Sequence, residues 1–355
     1  MEDGKENENF IIFKMKVLVT GGAGFIGTNY VKYHLEKRPA DELVVIDALT
    51  YSGHKENLAG LNLKFIEGRI EDKNLVNQLF EEEKFDWIVH FAAESHVDRS
   101  IKNPEVFVIT NVLGTQVLLD AARNFGIKRF HHVSTDEIYG DLGFNSTNKF
   151  TEESAILPSS PYSASKASSD MMCLAYKRTF GLPVTISRCS NNYGPYQSLE
   201  NFIPRMINLA EKNEKLQIYG TGENIRDWLY VEDHCSAILE ILERGTVGEI
   251  YNIGGDSEIK NIDVAKMILK ILGKSENLIE FMTDRKGHDE RYAINFDKIK
   301  SELGWTPRGV FEDGLRQTIE WYKLNSYERN HISGRNGHEA LSPNESHKQA
   351  SAAGL

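Results

Sequence analysis

The stretch KVLVTGGAGFIGTNY, residues 16–30, guides the interpretation of the rest of the chain. Its first five residues are apolar or β-branched and are followed by glycines, which predicts a short strand. A helical pattern continues to about Leu35. Glycines let the backbone turn tightly and approach a pyrophosphate, and the helix N-terminus offers free N–H groups. We therefore predict a strand, a glycine-rich turn and a helix that together hold a dinucleotide.

Short apolar runs alternate with helical patterns through the first half of the chain. Repeated alternation of this kind is typical of a doubly wound parallel sheet. We predict an α/β fold, with a parallel Rossmann-type sheet and a smaller α/β substrate-binding region over its carboxyl edge. Further strands are predicted over residues 43–47, 63–67, 87–91, 129–133 and 184–188, and helices over 73–83, 104–125 and 161–180.

The pattern becomes irregular after residue 190. Apolar segments at 216–219 and 249–253 and a helical pattern at 264–272 indicate a smaller α/β region. We expect an N-terminal extension over residues 1–14 and a dinucleotide-binding domain over 15–190, to which some later segments return. The substrate-binding region would occupy 191–324. Residues 325–355 are polar and predict a disordered tail.

The composition argues against several kinds of partner. With 40% hydrophobic and 26% charged residues, the 355-residue chain has ordinary globular composition. A net charge of -11 disfavours nucleic acid. No apolar run reaches the roughly 18–20 residues of a membrane span, and the acidic N-terminus does not resemble a signal peptide. Because Cys173, Cys189 and Cys235 lack metal-ligand spacing, we expect no metal and reduced, buried thiols in a cytoplasmic protein.

Asp47 ends the second predicted strand, about 20 residues after the last glycine of the turn. In this fold an acid at that point binds the adenosine ribose hydroxyls. Such an acid repels a 2′-phosphate, so we predict NAD rather than NADP as the cofactor. An aspartate that only caps a helix or stabilises a loop is the alternative interpretation.

Two adjacent carboxylates, Asp136 and Glu137, follow the fifth predicted strand. The carboxyl end of a parallel strand is where such sheets bind ligands. A solvated turn is the ordinary explanation of an Asp-Glu pair. The preceding Ser-Thr pair and a later Tyr-x-x-x-Lys pair favour a reactive site instead.

Tyr162 and Lys166 are one helical turn apart in the predicted 161–180 helix, so they face the same way. A tyrosine is a poor base at neutral pH because its ordinary pKa is about 10. A neighbouring ammonium and an oxidised nicotinamide both favour the phenolate, which can then accept a hydroxyl proton as hydride leaves. The pair therefore predicts oxidation of an alcohol.

From about residue 15 to residue 322 the chain resembles short-chain dehydrogenase/reductase enzymes, through the glycine turn and the Tyr162–Lys166 pair. Within that superfamily it is similar to the dTDP-glucose 4,6-dehydratase family. The matching stretches are AAESHVDRS (92–100), STDEIYGDL (134–142), PSSPYSASKASSD (158–170), SNNYGPYQ (190–197), RDWLYVEDHC (226–235), YNIGG (251–255) and GHDERYAI (287–294).

This resemblance implies a lyase that converts dTDP-glucose to dTDP-4-keto-6-deoxyglucose with NAD. The sugar is oxidised at C4, water is eliminated across C5 and C6, and hydride returns to C6. The family pattern assigns removal of the C5 proton to Glu137 and protonation of the C6 hydroxyl to Asp136, with Thr135 on the C4 oxygen. A donor aspartic acid must stay protonated near neutral pH, which burial beside a second carboxylate favours. Family members are commonly homodimers, and helices 104–125 and 161–180 are the expected contact.

Three other functions stay open. A UDP-sugar 4-epimerase or decarboxylase shares the glycine turn and the Tyr-x-x-x-Lys pair. A 4,6-dehydratase acting on another nucleotide sugar would keep the whole mechanism, because the thymine methyl group contributes only about 1 kcal/mol of burial. A non-enzymatic NAD-sensing protein is the third, although it would not need the acid pair.

The resemblance also implies two sets of binding residues. Arg226 is the candidate for the diphosphate, with an ion pair to Asp227 or Asp233 as the alternative. Tyr219 either bounds the base or is plain core. The set implied for NAD is Gly21, Gly24, Phe25, Ile26, Gly27, Asp47, Thr50, Arg69, Ile70, Ala92, Ala93, Glu94, Thr110, Tyr162, Lys166 and Asn192. The set implied for the nucleotide sugar is Ser95, Thr135, Asn191, Asn201, Tyr219, Arg226, Asn261, Arg285 and His288.

Two positions depart from the family pattern. Arg69 stands where the family has an acid that reaches adenine, and a guanidinium cannot accept a hydrogen bond from the adenine amino group. It could stack on the ring or leave the contact to the backbone. Asn201 replaces a family lysine and removes a cation near the nucleotide. These departures bear on cofactor affinity and on nucleotide choice.

Overall fold

The structure is a computed structural model that describes residues 14–284 and 287–325. The predicted N-terminal extension, apart from Lys14, and the predicted tail after Asn325 lie outside the described residues. Arg285, predicted to bind the nucleotide sugar, also lies outside them.

The first half of the chain alternates strands and helices as predicted. Its elements are β1 (Lys16–Thr20), α1 (Phe25–Lys37), β2 (Glu42–Asp47), β3 (Lys64–Glu67), α2 (Lys73–Glu83), β4 (Trp87–His90), α3 (Val97–Lys102), α4 (Pro104–Phe107), α5 (Thr115–Phe125), β5 (Arg129–Thr135), α6 (Pro161–Phe180) and β6 (Val184–Cys189).

The second half contains shorter strands between longer helices. Its elements are β7 (Asn191–Tyr193), α7 (Phe202–Glu211), β8 (Leu216–Tyr219), β9 (Ile225–Tyr230), α8 (Val231–Arg244), β10 (Ile250–Ile253), β11 (Glu258–Lys260), α9 (Asn261–Leu272), β12 (Ile279–Met282), α10 (Asp297–Leu303) and α11 (Phe311–Leu324).

A seven-stranded parallel sheet organises the molecule, with strand order β10-β6-β5-β4-β1-β2-β3. Successive strands are added toward one edge of the sheet from β1 to β3 and toward the other edge from β4 onward. The switch lies between β1 and β4, and such sheets bind ligands there, at the carboxyl ends of their strands. Two smaller sheets, β11-β9-β7 and β12-β8, belong to the second half. This architecture confirms the predicted α/β, doubly wound, Rossmann-type fold.

Helices cover both faces of the sheet. On one face, apolar residues of α8 such as Ile238 pack with Val17 and Val45 of the strands. On the other face, α2, α5 and α6 pack on β4, β5 and β6. The three cysteines are buried and unpaired, as predicted. The sheet is thus buried on both sides, and its carboxyl edge is the place where a ligand can reach it.

The predicted continuous helix over 104–125 contains a π-helical segment, Val108–Gly114, between α4 and α5. Asn111 in this segment is buried, and its amide donates to the Glu94 carbonyl at 3.0 Å and to the Ser165 hydroxyl at 2.8 Å. A π turn adds one residue per turn and often re-aims a side chain at a functional site. The wider turn therefore lets Asn111 join α6 to the loop that follows β4.

The region Pro104–Phe125 is long and apolar enough to cross a membrane by length and composition alone. The prediction that no apolar run approaches the length of a membrane span therefore does not hold for this region. Half of its most apolar stretch is buried inside the fold, where Leu118, Leu119 and Ala122 pack in the core. That burial is what the core helix of a globular domain requires.

Candidate active site

A cavity of about 300 Å³ lies at the carboxyl edge of the large sheet. It runs from the glycine turn after β1, past the ends of β2 and β3, to the end of β5 and the start of α6. All five residues predicted for catalysis line it, and so do all those predicted for NAD. Of the residues predicted for the nucleotide sugar, Ser95, Thr135, Asn191 and Asn201 line it as well.

The glycine turn is shaped by close backbone contacts. A Cβ at Gly27 would lie 2.1 Å from the Gly21 carbonyl oxygen, so no other residue fits there. The Gly24 amide donates to the Gly21 oxygen at 3.2 Å, which closes the turn. No side chain caps the N-terminus of α1 and no acid lies in its first turn. An uncapped helix end beside a glycine turn fits the phosphates of a dinucleotide.

Asp47 faces this turn from the end of β2. Its carboxylate accepts from the Ala23 amide at 2.9 Å and from the Leu49 amide at 2.8 Å. Burial raises its pKa, while these two bonds oppose the increase. Asp47 therefore fixes its own loop, as the alternative interpretation held, and also lines the cavity where a ribose would lie.

The acid pair begins directly after Thr135, the last residue of β5. Thr135 Oγ1 accepts from the Glu137 amide at 3.2 Å and donates to Asp136 Oδ1 at 3.4 Å. Asp136 is 1% exposed, so a solvated turn is the wrong interpretation of this aspartate. Its Oδ2 is buried without a hydrogen-bond partner among the described residues. Burial, followed by the charges of Glu137 and Asp227, raises the pKa of Asp136 well above its ordinary value.

Tyr162 and Lys166 lie on the first turns of α6, which begins with a capping box at Ser160. The Lys166 ammonium donates to the Val133 carbonyl at 2.7 Å, and burial lowers its pKa. Burial and the charge of Glu137 raise the pKa of Tyr162 well above 10. Desolvation is the largest of the causes that act on the Tyr162 pKa, and a hydrogen bond with Thr135 opposes it.

Four other predicted residues lie outside that cavity, near the segment that follows Gly287. Arg226 donates to the carbonyls of Ile225 and Asp289, each at 2.8 Å. The alternative partners predicted for it accept elsewhere: Asp227 from the amides of Gly255 and Ser257, and Asp233 from the Arg308 amide.

Tyr219 and His288 meet edge to face, with ring centroids 6.3 Å apart. Asn261 Oδ1 is buried without a hydrogen-bond partner among residues 14–284 and 287–325. These side chains and Arg226 come from β8, β9, α9 and the segment after Gly287. They therefore form a second cluster of polar and aromatic residues in the second half of the chain.

His234 was missed by the sequence analysis. Its Nδ1 lies 2.9 Å from Asn192 Oδ1, and because an amide oxygen only accepts, Nδ1 carries the proton. Burial lowers the pKa of His234 to about 3, so the ring is neutral. The Asn192 amide in turn donates to the Ser190 carbonyl at 3.0 Å. The RDWLYVEDHC stretch contains His234, but nothing in that stretch indicates its contact with Asn192.

Other lining residues were also missed. Most are glycines, serines and apolar residues, which carry no chemical signal of their own, and the others belong to no recognisable motif. They are Ile46, Ala48, Ser52, Gly53, Gly68, Glu71, Phe91, Val133, Ser134, Cys189, Ser190, Gln197 and Ser198.

Comparison with known proteins gives consistent matches over most of the chain. A family profile described as GDP-mannose 4,6 dehydratase matches residues 18–318. The dTDP-glucose 4,6-dehydratase of Mycobacterium tuberculosis is 48% identical over 314 residues, which cover 88% of this chain and 94% of that protein.

Two solved structures extend the comparison. A dTDP-glucose 4,6-dehydratase from Streptomyces venezuelae, crystallised with NAD bound, has a TM-score of 0.86 and 46% identity over 90% of this chain and 100% of its own. A UDP-glucose 4-epimerase from Thermotoga maritima has a TM-score of 0.83 and 31% identity over 88% of this chain and 100% of its own. The fold is thus shared by two kinds of enzyme, and the sequence is more similar to the dehydratase.

Proposed function

This chain belongs to the dTDP-glucose 4,6-dehydratase family, and we propose that it converts dTDP-glucose to dTDP-4-keto-6-deoxyglucose with NAD as cofactor. The observation that carries the proposal is the buried Asp136 beside Glu137, at the end of β5 and in the same cavity as Tyr162. Oxidation at C4 needs only the tyrosine and a hydride acceptor. Elimination of water needs an acid and a base in addition, and this pair supplies both.

The residues present fit NAD. The tight turn at Gly21, Gly24 and Gly27 and the uncapped end of α1 suit the pyrophosphate, and Asp47 suits the adenosine ribose. When bound, NAD supplies the hydride acceptor for C4 and the hydride donor for C6. Because the hydride returns in each turnover, we expect the cofactor to stay with the protein.

The protein residues handle three protons. Tyr162, whose phenolate the positive charge of a bound oxidised nicotinamide would favour against its raised pKa, accepts the proton of the C4 hydroxyl. Thr135, which contacts the acid pair, holds the C4 oxygen. Glu137 removes the proton at C5, which the C4 ketone has made acidic, and returns a solvent-exchanged proton to C5 when hydride is added at C6. Asp136, held protonated by burial, gives its proton to the C6 hydroxyl, which leaves as water. Lys166, one helical turn from Tyr162, is anchored on the Val133 carbonyl and is assigned to support the phenolate.

The nucleotide sugar is assigned to predicted residues of the cavity and of the second cluster. Ser95, Asn191 and Asn201 line the cavity near the acid pair. Arg226, buried beside Asp289, is assigned to the diphosphate because a fixed guanidinium matches phosphate oxygens. Tyr219 and Asn261 are assigned to the base. Arg285, which lies outside the described residues, and His288, which follows Gly287, complete the proposed set.

The epimerase alternative shares the fold and the tyrosine. Epimerisation at C4 requires no acid for C6, so it gives no reason to bury an aspartic acid at the end of β5. The same acid pair would serve a dehydratase acting on another nucleotide sugar. Asn201, which stands in place of the family lysine, lines the cavity and bears on which nucleotide is bound.

Substitution Glu137→Gln separates the two half-reactions. Without the base, we expect water loss to fall by about 10²- to 10⁴-fold. Reduced nicotinamide should still form when dTDP-glucose is added, because C4 oxidation does not use Glu137. Single-turnover absorbance of the reduced cofactor and mass spectrometry of the sugar measure the two steps separately. The exposed Glu153→Gln is the control, and normal water loss by Glu137→Gln would disprove the assignment of the base.

We also propose that the protein is a cytoplasmic homodimer that binds neither nucleic acid nor membrane. In support, the π segment and α6 pack together through the Asn111–Ser165 contact. They leave Val108, Leu113 and Met171 exposed, at 55%, 47% and 43%. Exposed apolar residues on two adjacent helices suit a second copy of the same surface.

A further inference from the structure

We infer that Glu71 accepts a hydrogen bond from the amino group of the NAD adenine, with its carboxylate held in place by Arg69. This inference rests on the proposed use of NAD and deepens it, since it names the residue that selects the base of the dinucleotide. Neither Arg69 nor Glu71 has a role in the proposed reaction of the sugar. The contact would replace the acceptor that a basic residue at position 69 cannot provide.

The geometry places Glu71 one strand beyond the ribose. Asp47, at the end of β2, is paired in register with Glu67 at the end of β3. Neighbouring strands lie about 4.8 Å apart, so the residues after Glu67 are displaced by that distance from the ribose site. The cavity continues there and is lined by Ala48, Gly68, Arg69 and Glu71. An adenine attached to a ribose at Asp47 reaches this end of the cavity.

The local chain directs both charged side chains to the same side. Ile70 between them is buried and packs in the core against the helices. Arg69 and Glu71 flank it, and Arg69 Nη1 donates to Glu71 Oε1 at 3.2 Å. The Arg69 side chain is 58% exposed, whereas that of Glu71 is 16% exposed. Glu71 is therefore the more enclosed member of the pair, with its second carboxylate oxygen available to a ligand in the cavity.

A second carboxylate, Glu94, lies near enough for the charges of Arg69 and Glu71 to shift its pKa in opposite directions. Its side chain is engaged by the Tyr51 hydroxyl, and its backbone is held by Asn111. Glu94 is thus already committed to the loop after β4. The only hydrogen bond to the Glu71 side chain among the described residues comes from Arg69, so its other carboxylate oxygen has no such partner there.

The test uses nicotinamide hypoxanthine dinucleotide, which carries a carbonyl oxygen where NAD carries the adenine amino group. Purified protein is equilibrated with an equimolar excess of both dinucleotides, starting from either loaded form. Free nucleotide is then removed by gel filtration, and the bound nucleotides are quantified by mass spectrometry. The ratio of bound forms gives the ratio of affinities directly, without reference to catalysis.

The wild-type protein should retain NAD over the hypoxanthine analogue by about tenfold or more, because a hydrogen bond to a charged acceptor is lost and two oxygens face each other. In Glu71→Gln, whose amide can donate to the carbonyl, the ratio should fall to about one or invert. Glu67→Gln removes the same charge from an exposed residue outside the cavity and should keep the wild-type ratio.

Three results would overturn the inference. The first is a wild-type ratio near one, and the second is a wild-type ratio in Glu71→Gln. The third is a collapse of the ratio in Glu94→Gln but not in Glu71→Gln, which would move the contact to the other acid. If the wild-type protein retains neither dinucleotide, the proposed NAD-dependent function itself is contradicted, and that result is distinct from the other three.

Discussion

Asp136 is the residue on which the proposed chemistry depends most. It lies within one residue of the end of a buried strand, is almost fully enclosed, and has another carboxylate as its neighbour. Water would stabilise its ionised form, and the fold removes that water. Its acidity is therefore tuned mainly by desolvation, with the charges of Glu137 and Asp227 acting in the same direction.

The raised pKa of Asp136 predicts a pH-dependent cost to stability. Below pH 3.8, its ordinary pKa, the carboxyl is protonated in both the folded and the unfolded chain, so burying it causes no ionisation-linked loss of stability. As the pH rises toward the raised folded pKa, the unfolded chain ionises while the folded site resists, and stability is lost. Asp136→Asn should therefore be more stable than wild type at pH 7, by on the order of 1 kcal/mol or more.

Chemical denaturation at pH 4 and pH 7 measures this difference. The gain in Asp136→Asn should be largest at pH 7 and should shrink toward pH 4, while water elimination is lost at both. A gain that is equal at the two pH values would show that packing, rather than ionisation, separates the two proteins.

Sequence reasoning was effective for residues that carry chemical groups in recognisable order. The acid pair, Tyr162 and Lys166 were found because the groups follow one another along the chain and lie at the end of a strand or one turn apart. Glu71 and His234 were missed because their importance depends on neighbours. Glu71 becomes interesting only when β3 is aligned with β2, and His234 only when α8 brings it to Asn192.

At the scale of single elements, the helix from Pro104 to Phe125 differs most from expectation. Periodicity predicts a helix but cannot distinguish an α turn from a π turn, because both keep the residues helical. The choice is made by tertiary contacts: Asn111 reaches Ser165 on α6, and the Thr115 hydroxyl donates to the Asn111 carbonyl at 2.6 Å. The boundary between β9 and α8 is also not marked in the sequence, because β9 ends at Tyr230 and α8 begins at Val231 with no glycine or proline between them.

The exposed face of this helix predicts the effect of a charge on assembly. Leu113→Glu would place a carboxylate in the proposed contact between subunits, where its desolvation is unfavourable. We expect the dimer dissociation constant to rise at least about 100-fold, which is a cost of about 2.7 kcal/mol. Light scattering after gel filtration over a dilution series measures it.

A matched control is available in Val310→Glu, since Val310 is 68% exposed and directly precedes α11, outside the two helices of the proposed contact. This variant should assemble as the wild type does. The proposed contact would be excluded if Leu113→Glu and Val310→Glu had the same dissociation constant as the wild-type protein.

For the whole molecule, the order of elements along the chain differs from their grouping in space. The predicted boundary at residue 190 separates the glycine turn from most of the second half. Two later elements nevertheless complete the first part: β10 pairs with β6 at the edge of the large sheet, and α8 covers a face of it. The prediction that some later segments return did not say which, because strand pairing over about 60 residues leaves no periodic signal.

This arrangement predicts that residues 1–190 will not fold alone. Without α8, the sheet loses the packing of Val231, Cys235, Ile238, Leu239 and Leu242. Exposing the surface that five such residues cover costs about 10 kcal/mol, which is comparable to the whole stability of a typical domain. We expect circular dichroism to show no cooperative melting for this fragment, whereas the full chain melts cooperatively. A sharp transition in the fragment would mean that the boundary marks an independent domain.

The central claim is that this site removes water from a sugar nucleotide by acid–base chemistry coupled to a retained cofactor. The most direct measurement is mass spectrometry of dTDP-glucose after incubation with the purified protein in heavy water, with no NAD added. The account predicts a product that has lost one water and carries one deuterium at C5. Water loss only from another nucleotide glucose would keep the mechanism and change the specificity. An unchanged mass with every nucleotide glucose would contradict the claim.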